Sequence, residues 1–210
     1  MLFRSNEPVK ADIFDGADRV EDANRLTALL STRYINQNSG AELFMAGIGQ
    51  VYYFDDRLVT LPLGSPLTQP RSNIIAMLTT RPNQNWLFHY DTEWNTETEK
   101  FDRNTADLTY DRSDKLKLKL AYRFERTVLE TAEAGFDWHI NPRWRFHGRE
   151  IYDLFNERNQ EAELGFRYDS CCWGLALSVK ERFVTDTEPQ DTSFYLELEL
   201  KGLSSISTGF

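Results

Sequence analysis

Long apolar runs are missing from this chain. A membrane-spanning helix needs roughly 18 or more such residues, and the nearest approach, Leu43 to Phe54, is an uncharged twelve containing two glycines and a glutamine. A transmembrane helix is therefore excluded. The opening Met1-Leu-Phe-Arg-Ser-Asn-Glu-Pro8 has neither the basic n-region nor the apolar h-region of a secretory signal, which leaves a cytoplasmic protein or part of a longer chain whose signal lies elsewhere. Positive charge is short as well: 24 Lys and Arg against 33 Asp and Glu give a net charge of −9. Without a basic cluster to neutralise phosphates, nucleic acid is excluded as a partner. The three histidines, His89, His139 and His147, come with no metal-ligand spacing and no Gly-x-Ser-x-Gly elbow. No catalytic residue, metal or cofactor is assigned, and no enzyme is expected. The carboxylates from Asp91 to Glu99 are oxygen ligands of the kind calcium takes, but such clusters are ordinarily just solvated.

What is present is a period of two. Residues 1–25 form an irregular lead-in; from there almost to the end, apolar and polar residues alternate, the mark of strands with one face against something greasy. About eleven segments are expected, beginning near Leu26, Glu42, Ser72, Asn85, Arg103, Lys115, Glu130, Arg143, Asn159, Cys171 and Asp191. Most run about 10–13 residues, well beyond the mode of about 5–6 in soluble proteins and close to the about 9–11 needed to cross hydrocarbon at a tilt. The connections alternate between short and generally longer. The longest, Asp55 to Arg71, holds Pro62, Pro66 and Pro70 and cannot continue a strand within a sheet. Outer-membrane barrels have this asymmetry, with short periplasmic turns and long outer loops. The expected class is all-β: residues 26–203 form an antiparallel transmembrane β-barrel portion and residues 204–210 a C-terminal tail. An odd count leaves an open edge, unpaired in lipid at several kcal/mol per backbone group, so the barrel portion belongs to something larger.

Cost assigns the faces. A Lys or Arg against lipid at mid-depth costs about 2–4 kcal/mol, so Lys117, Lys119 and Arg123 turn inward. Lipid then meets Leu116, Leu118 and Leu120; Ala134, Phe136, Trp138 and Ile140; Trp144 and Phe146; Leu164, Phe166 and Tyr168; Trp173, Leu175, Leu177 and Val179; and Phe194, Leu196, Leu198 and Leu200. The interior meets Glu133, Asp137, His139, Arg143, Arg145, His147, Arg149, Glu161, Glu163, Arg167, Glu197, Glu199 and Lys201. Its charges could touch a passing glycolipid, but mutual pairing is the more ordinary outcome. Trp138, Trp144, Tyr168 and Trp173 fall near one set of strand ends, as an interfacial aromatic girdle does.

The two cysteines, Cys171 and Cys172, are neighbours at a tight turn. A bridge between them would close a strained ring; they are either unpaired thiols or partners of cysteines outside this sequence. With the longer loops outside the cell, this turn lies in the periplasm, where disulfides persist.

The chain resembles the C-terminal part of the LptD family of lipopolysaccharide-assembly outer-membrane proteins. The resemblance is carried by Leu2-Phe-Arg4 with Asp18-Arg-Val-Glu-Asp-Ala-Asn-Arg-Leu-Thr27, by Gly47-Ile-Gly-Gln-Val-Tyr-Tyr-Phe54, by Tyr168-Asp-Ser-Cys-Cys-Trp173 and by Leu196-Glu-Leu-Glu-Leu-Lys-Gly-Leu203. It implies a Gram-negative outer-membrane location, a barrel plugged by an LptE-like lipoprotein, and a periplasmic N-terminal jellyroll that connects to the lipopolysaccharide transport bridge. It also implies a lateral exit seam into the outer leaflet. By the same resemblance Cys171 and Cys172 each pair with a cysteine of that absent jellyroll. The final segment, with Phe194, Tyr195, Leu196, Glu197, Leu198, Glu199 and Leu200, would flank the seam. A passive porin-type pore and a soluble lipocalin-like or sandwich binding domain are the alternatives.

Overall fold

The structure is a computed structural model that describes residues 24–58, 68–113, 115–184 and 191–201, and the backbone of 204–209. The chain runs up and down through twelve antiparallel strands in one sheet, each bonded to the next in sequence. These are β1 Arg25–Ile35, β2 Glu42–Tyr53, β3 Ile74–Asn83, β4 Trp86–Asn95, β5 Lys100–Arg112, β6 Leu116–Glu125, β7 Leu129–Asn141, β8 Trp144–Asp153, β9 Arg158–Asp169, β10 Trp173–Arg182, β11 Asp191–Leu200 and β12 Ser204–Gly209. Eleven correspond to the alternating segments read from the sequence. The lead-in lies, except for Asn24 and Arg25, outside the described residues.

The twelfth strand corrects the expectation of a tail after residue 203. Ser204-Ser-Ile-Ser-Thr-Gly209 carries a single apolar residue, too little to show alternation. It pairs because β11 offers a free edge, in register from Tyr195↔Gly209 to Leu200↔Ser204. The strand from Asp191 is consequently not the last of the sheet, and most of its outer edge is covered by β12.

Asn and Asp residues close the hairpins. The Asn36 Oδ1 accepts from the N–H groups of Asn38 and Ser39, Asn83 Oδ1 from Asn85 and Trp86, and Asn141 Oδ1 from Arg143 and Trp144. At the other end Asn95 Oδ1 receives Glu97 and Thr98, and Asp153 Oδ1 receives Asn156. Each carboxamide or carboxylate replaces a backbone partner that the chain loses as it reverses. Glu99 and Glu157 complete these two turns, and Thr127 the β6–β7 turn at the same end, with φ between 54° and 60°.

Register carries the parity across the sheet. Trp86, Tyr110, Leu118, Phe136, Gly148, Leu164, Val179 and Phe194 are in line on one face. One residue along, Lys119, Gly135, Arg149, Glu163, Lys180 and Ser193 are in line on the other. Among the described residues the only buried apolar side chain is Ala121, and the apolar face leaves Leu118, Leu120, Phe136, Leu164, Leu177, Phe194, Leu196 and Leu198 exposed. A soluble sandwich would bury such rows against a second sheet; this sheet has none. The apolar rows end in rings. Trp144 packs on Tyr168 at 4.8 Å between centroids, and Tyr168 on Trp173 at 5.3 Å. Trp86 packs on Tyr110 at 4.7 Å near the same set of turns, and Trp94 on Phe101 at 4.7 Å near the opposite one.

The sheet is open. Arg25–Ile35 has no strand beyond it among the described residues, and almost all of that strand is exposed.

Candidate functional site

The cysteines sit in the connection from β9 to β10, at the sheet end opposite the long β2–β3 connection. Both are exposed and unbridged, with sulfurs 3.0 Å apart. The turn closes on itself through Ser170 N–H to the Trp173 carbonyl at 2.8 Å, and the Asp169 N–H ties it to the Arg143 carbonyl at 2.7 Å. From the other side the Lys201 N–H donates to the Cys172 carbonyl at 2.9 Å, and its Nζ donates to the Ser170 carbonyl at 2.7 Å.

Beneath the turn lies an ionic brace. Arg167 Nε donates to Asp169 at 2.9 Å, and its Nη2 reaches across β10 to Glu199 on β11. Lys201 Nζ lies 3.3 Å from Asp169. The crossing is possible because Gly174 occupies the strand between: a Cβ there would stand 2.8 Å from Arg167 Nη2 and 2.9 Å from Asp169 Oδ1. Arg167, Glu199 and Lys201 were expected on this face from alternation. The parts of Gly174 and Asp169 were not, because a residue's reach across two strands leaves no trace in a period of two.

The two thiols are unequal. The hydrogen bond from Cys172, then that from the Ser170 hydroxyl, with the nearby Lys201 charge, holds the Cys171 thiol below its ordinary value. The same bond to Cys171 holds the Cys172 thiol above its own. Because the thiolate is the nucleophile, Cys171 is expected to be alkylated faster than Cys172 in the folded, reduced protein. Peptide mass spectrometry at partial iodoacetamide labelling checks this, and equal labelling would contradict it. Cys172→Ala should slow Cys171.

Most of the remaining polar-face charges form one network centred on Glu133 and Glu161. Glu133, the only buried polar side chain among the described residues, accepts from Lys119 Nζ at 3.1 Å, Arg123 Nη1 at 3.3 Å and Arg149 Nε at 3.0 Å. Arg123 also meets Asp107 at 3.5 Å, and Arg149 meets Glu161 at 3.3 Å. Glu161 continues to Lys180 at 2.9 Å and Arg182 at 3.4 Å, and Lys180 to Glu163 at 3.8 Å. Cation and carboxylate thus alternate over β5 to β10. Lys117 pairs with Asp111 at 3.0 Å, and Arg145 forks onto Asp137 with Nε at 2.9 Å. Arg143 stands in the β7–β8 turn. His147 lies 3.5 Å from Glu163, with its ring laid over Gly165, where a Cβ would meet it at 2.4 Å. No group of three or more His, Cys, Asp or Glu able to hold a metal occurs among the described residues.

A family model described as "LPS transport system D", LptD, matches residues 6–136. The chain belongs to the LptD family. Among curated relatives, the LPS-assembly protein LptD of Nitrosococcus oceani is 34% identical over 194 residues, covering 92% of this chain and 26% of that protein. Its namesake in Xylella fastidiosa (strain Temecula1) is 31% identical over 200 residues, 92% of this chain and 25% of the relative. The one in Xanthomonas campestris pv. campestris is 33% identical over 207 residues, 91% and 26%. The chain thus spans about a quarter of the length of the LptD proteins it matches. Membership gives the open sheet its setting: it is part of an outer-membrane β-barrel of a Gram-negative cell.

Proposed function

We infer that this chain is the C-terminal portion of an outer-membrane translocon that inserts lipopolysaccharide into the outer leaflet. The observation that supports it most is the placement of the cysteine turn: exposed, braced from three strands, and at the sheet end away from the β2–β3 connection. Family membership supplies the cargo, since the relatives are named for lipopolysaccharide assembly.

In this reading the longer connections are extracellular and the turn is periplasmic. Cys171 and Cys172 are each oxidised onto a cysteine of an N-terminal jellyroll. Closing such long loops stabilises by about 2–4 kcal/mol per bridge. More consequential is orientation, because the jellyroll groove has to face the seam. The charged polar face lines the lumen around an LptE-like plug lipoprotein, and the seam lies beyond β12, with Phe194 to Leu200 of β11 behind it. The chain acts by guiding lipid, with no bond-making step.

Non-reducing electrophoresis of the full-length native protein tests this. A mobility shift is expected that disappears on reduction and in the Cys171→Ser/Cys172→Ser double variant, together with loss of lipopolysaccharide delivery to the surface. Ion conductance by a barrel whose surface lipopolysaccharide is indifferent to both cysteines would favour a passive pore instead.

A further inference from the structure

At the sheet end that carries the cysteines, the turns are basic and their charges are unused. Arg81 near the end of β3, Arg112 and Lys115 at the β5–β6 turn and Arg143 in the β7–β8 turn are exposed, and none of these side chains forms an ion pair or hydrogen bond with another described residue. Elsewhere the sheet pairs its cations: Lys117, Lys119, Arg123, Arg145, Arg149 and Arg167 all meet carboxylates. The described carboxylates nearest these turns are taken, Asp111 by Lys117 and Asp137 by Arg145. The opposite end is mixed, with Asp56, Glu99 and Glu157 left unpaired alongside Arg71 and Lys100.

Arg112 also has a fixed side. It follows Tyr110 on the apolar face, in line with Leu116 and Trp138 across β6 and β7. Trp86 is opposite Tyr110, and the two rings pack at 4.7 Å. Trp86 and Trp138 are exposed, and neither indole N–H nor the Tyr110 hydroxyl donates to a described residue. Along the strand Tyr110 lies about 7 Å from Arg112, and Trp138 lies two strands away at about 10 Å. One guanidinium and three uncharged donors thus rim the end of an apolar wall. In water such donors need nothing further, but in a barrel these rings mark the boundary between hydrocarbon and headgroups, where the acceptors on offer are lipid oxygens. A phosphodiester supplies them, and a guanidinium meets it with two parallel N–H bonds. Charge selects the rest of the headgroup. An ethanolamine ammonium would stand among Arg81, Lys115 and Arg143 with no free described carboxylate to accept from it. A glycerol headgroup is uncharged beyond its phosphate and keeps the net negative charge that these cations attract.

We propose that this end of β5 to β7 holds an anionic glycerophospholipid of the phosphatidylglycerol type, its phosphate on Arg112 beside Trp86, Tyr110 and Trp138, and its acyl chains along Leu116 and Leu118. The leaflet this lipid occupies, the periplasmic one, rests on the orientation given under the proposed function; the binding itself does not.

The test uses the full-length protein in nanodiscs of equal phosphatidylglycerol and phosphatidylethanolamine, with retained lipids counted by native mass spectrometry. Both leaflets of a nanodisc are alike, so the outcome is blind to which end is periplasmic and separate from the cysteine-dependent mobility shift. The wild type should retain the glycerol lipid over the ethanolamine one. Arg112→Gln, at an exposed position, should lower that retention about fivefold and leave heat modifiability at the wild-type value. Trp138→Phe, which keeps a ring and loses the N–H, should lower it less. Arg71→Gln, at the opposite end, is the control and should change nothing. Equal retention in wild type and Arg112→Gln, or no preference over the ethanolamine lipid, overturns the proposal. So does an equal loss in Arg71→Gln, since that would mean attraction to surface charge at large.

Discussion

Glu133→Ala is expected to destabilise the barrel by about 2 kcal/mol, more than any other single change on the polar face. Three cations converge on this carboxylate, and removing it leaves Lys119, Arg123 and Arg149 facing one another across β6 and β8. Stripping one partner from a fully buried pair costs about 3–5 kcal/mol. Here the carboxylate side chain is 5% exposed, but the cations are 43%, 44% and 46% exposed, so water recovers part of the loss. Arg123 keeps Asp107, and Arg149 keeps Glu161. The change should appear as a lower temperature at which the folded, fast-migrating form disappears on heating in detergent. Glu133→Gln, which retains an acceptor oxygen of the same reach, should lose about half as much. If the alanine variant melted with the wild type, the convergence would be decorative and the interior would be held by the ladder alone.

Much of this arrangement is written in the alternation, because the membrane punishes the wrong parity. Lys117, Lys119 and Arg123 could face only one way, and once they do, hairpin pairing transmits that choice from strand to strand. Faces and hairpins were accordingly legible, as was the end of the sheet that carries Cys171 and Cys172. What was not legible depends on side-chain reach or on weak patterning. Nothing in the spacing of Glu133 distinguishes it from Glu161 or Glu163; its burial comes from having three cations within reach. The serine-rich β12 pairs for want of a covered edge on β11, a property of the neighbour and not of its own residues. The brace under the cysteine turn depends on Gly174, where the informative feature is a missing side chain.

That missing side chain can be supplied. Gly174→Val is expected to leave the barrel folded, since the atoms it would meet are the far ends of Arg167 and Asp169, which can swing aside. What they cannot do is swing aside and still meet Glu199 over β10. The turn would lose its tie to β11 through Arg167 and keep the Lys201 contacts to Cys172 and Ser170 with the backbone bonds of Asp169 and Ser170. A loss of about 1 kcal/mol in holding the turn is about a fivefold rise in the ratio of its displaced to its placed form. In the full-length protein, the fraction of chains with non-native disulfides, read by non-reducing electrophoresis and peptide mapping, should rise by about that factor while heat modifiability stays near wild type. Gly135→Ala is the control on the same face: its Cβ would come no closer than 3.5 Å to anything, and it should change neither measurement. A valine variant that melted early would mean Gly174 serves the sheet itself. A valine variant with wild-type pairing would mean that the turn is positioned without Arg167, and only the backbone and Lys201 would be left to orient the thiols.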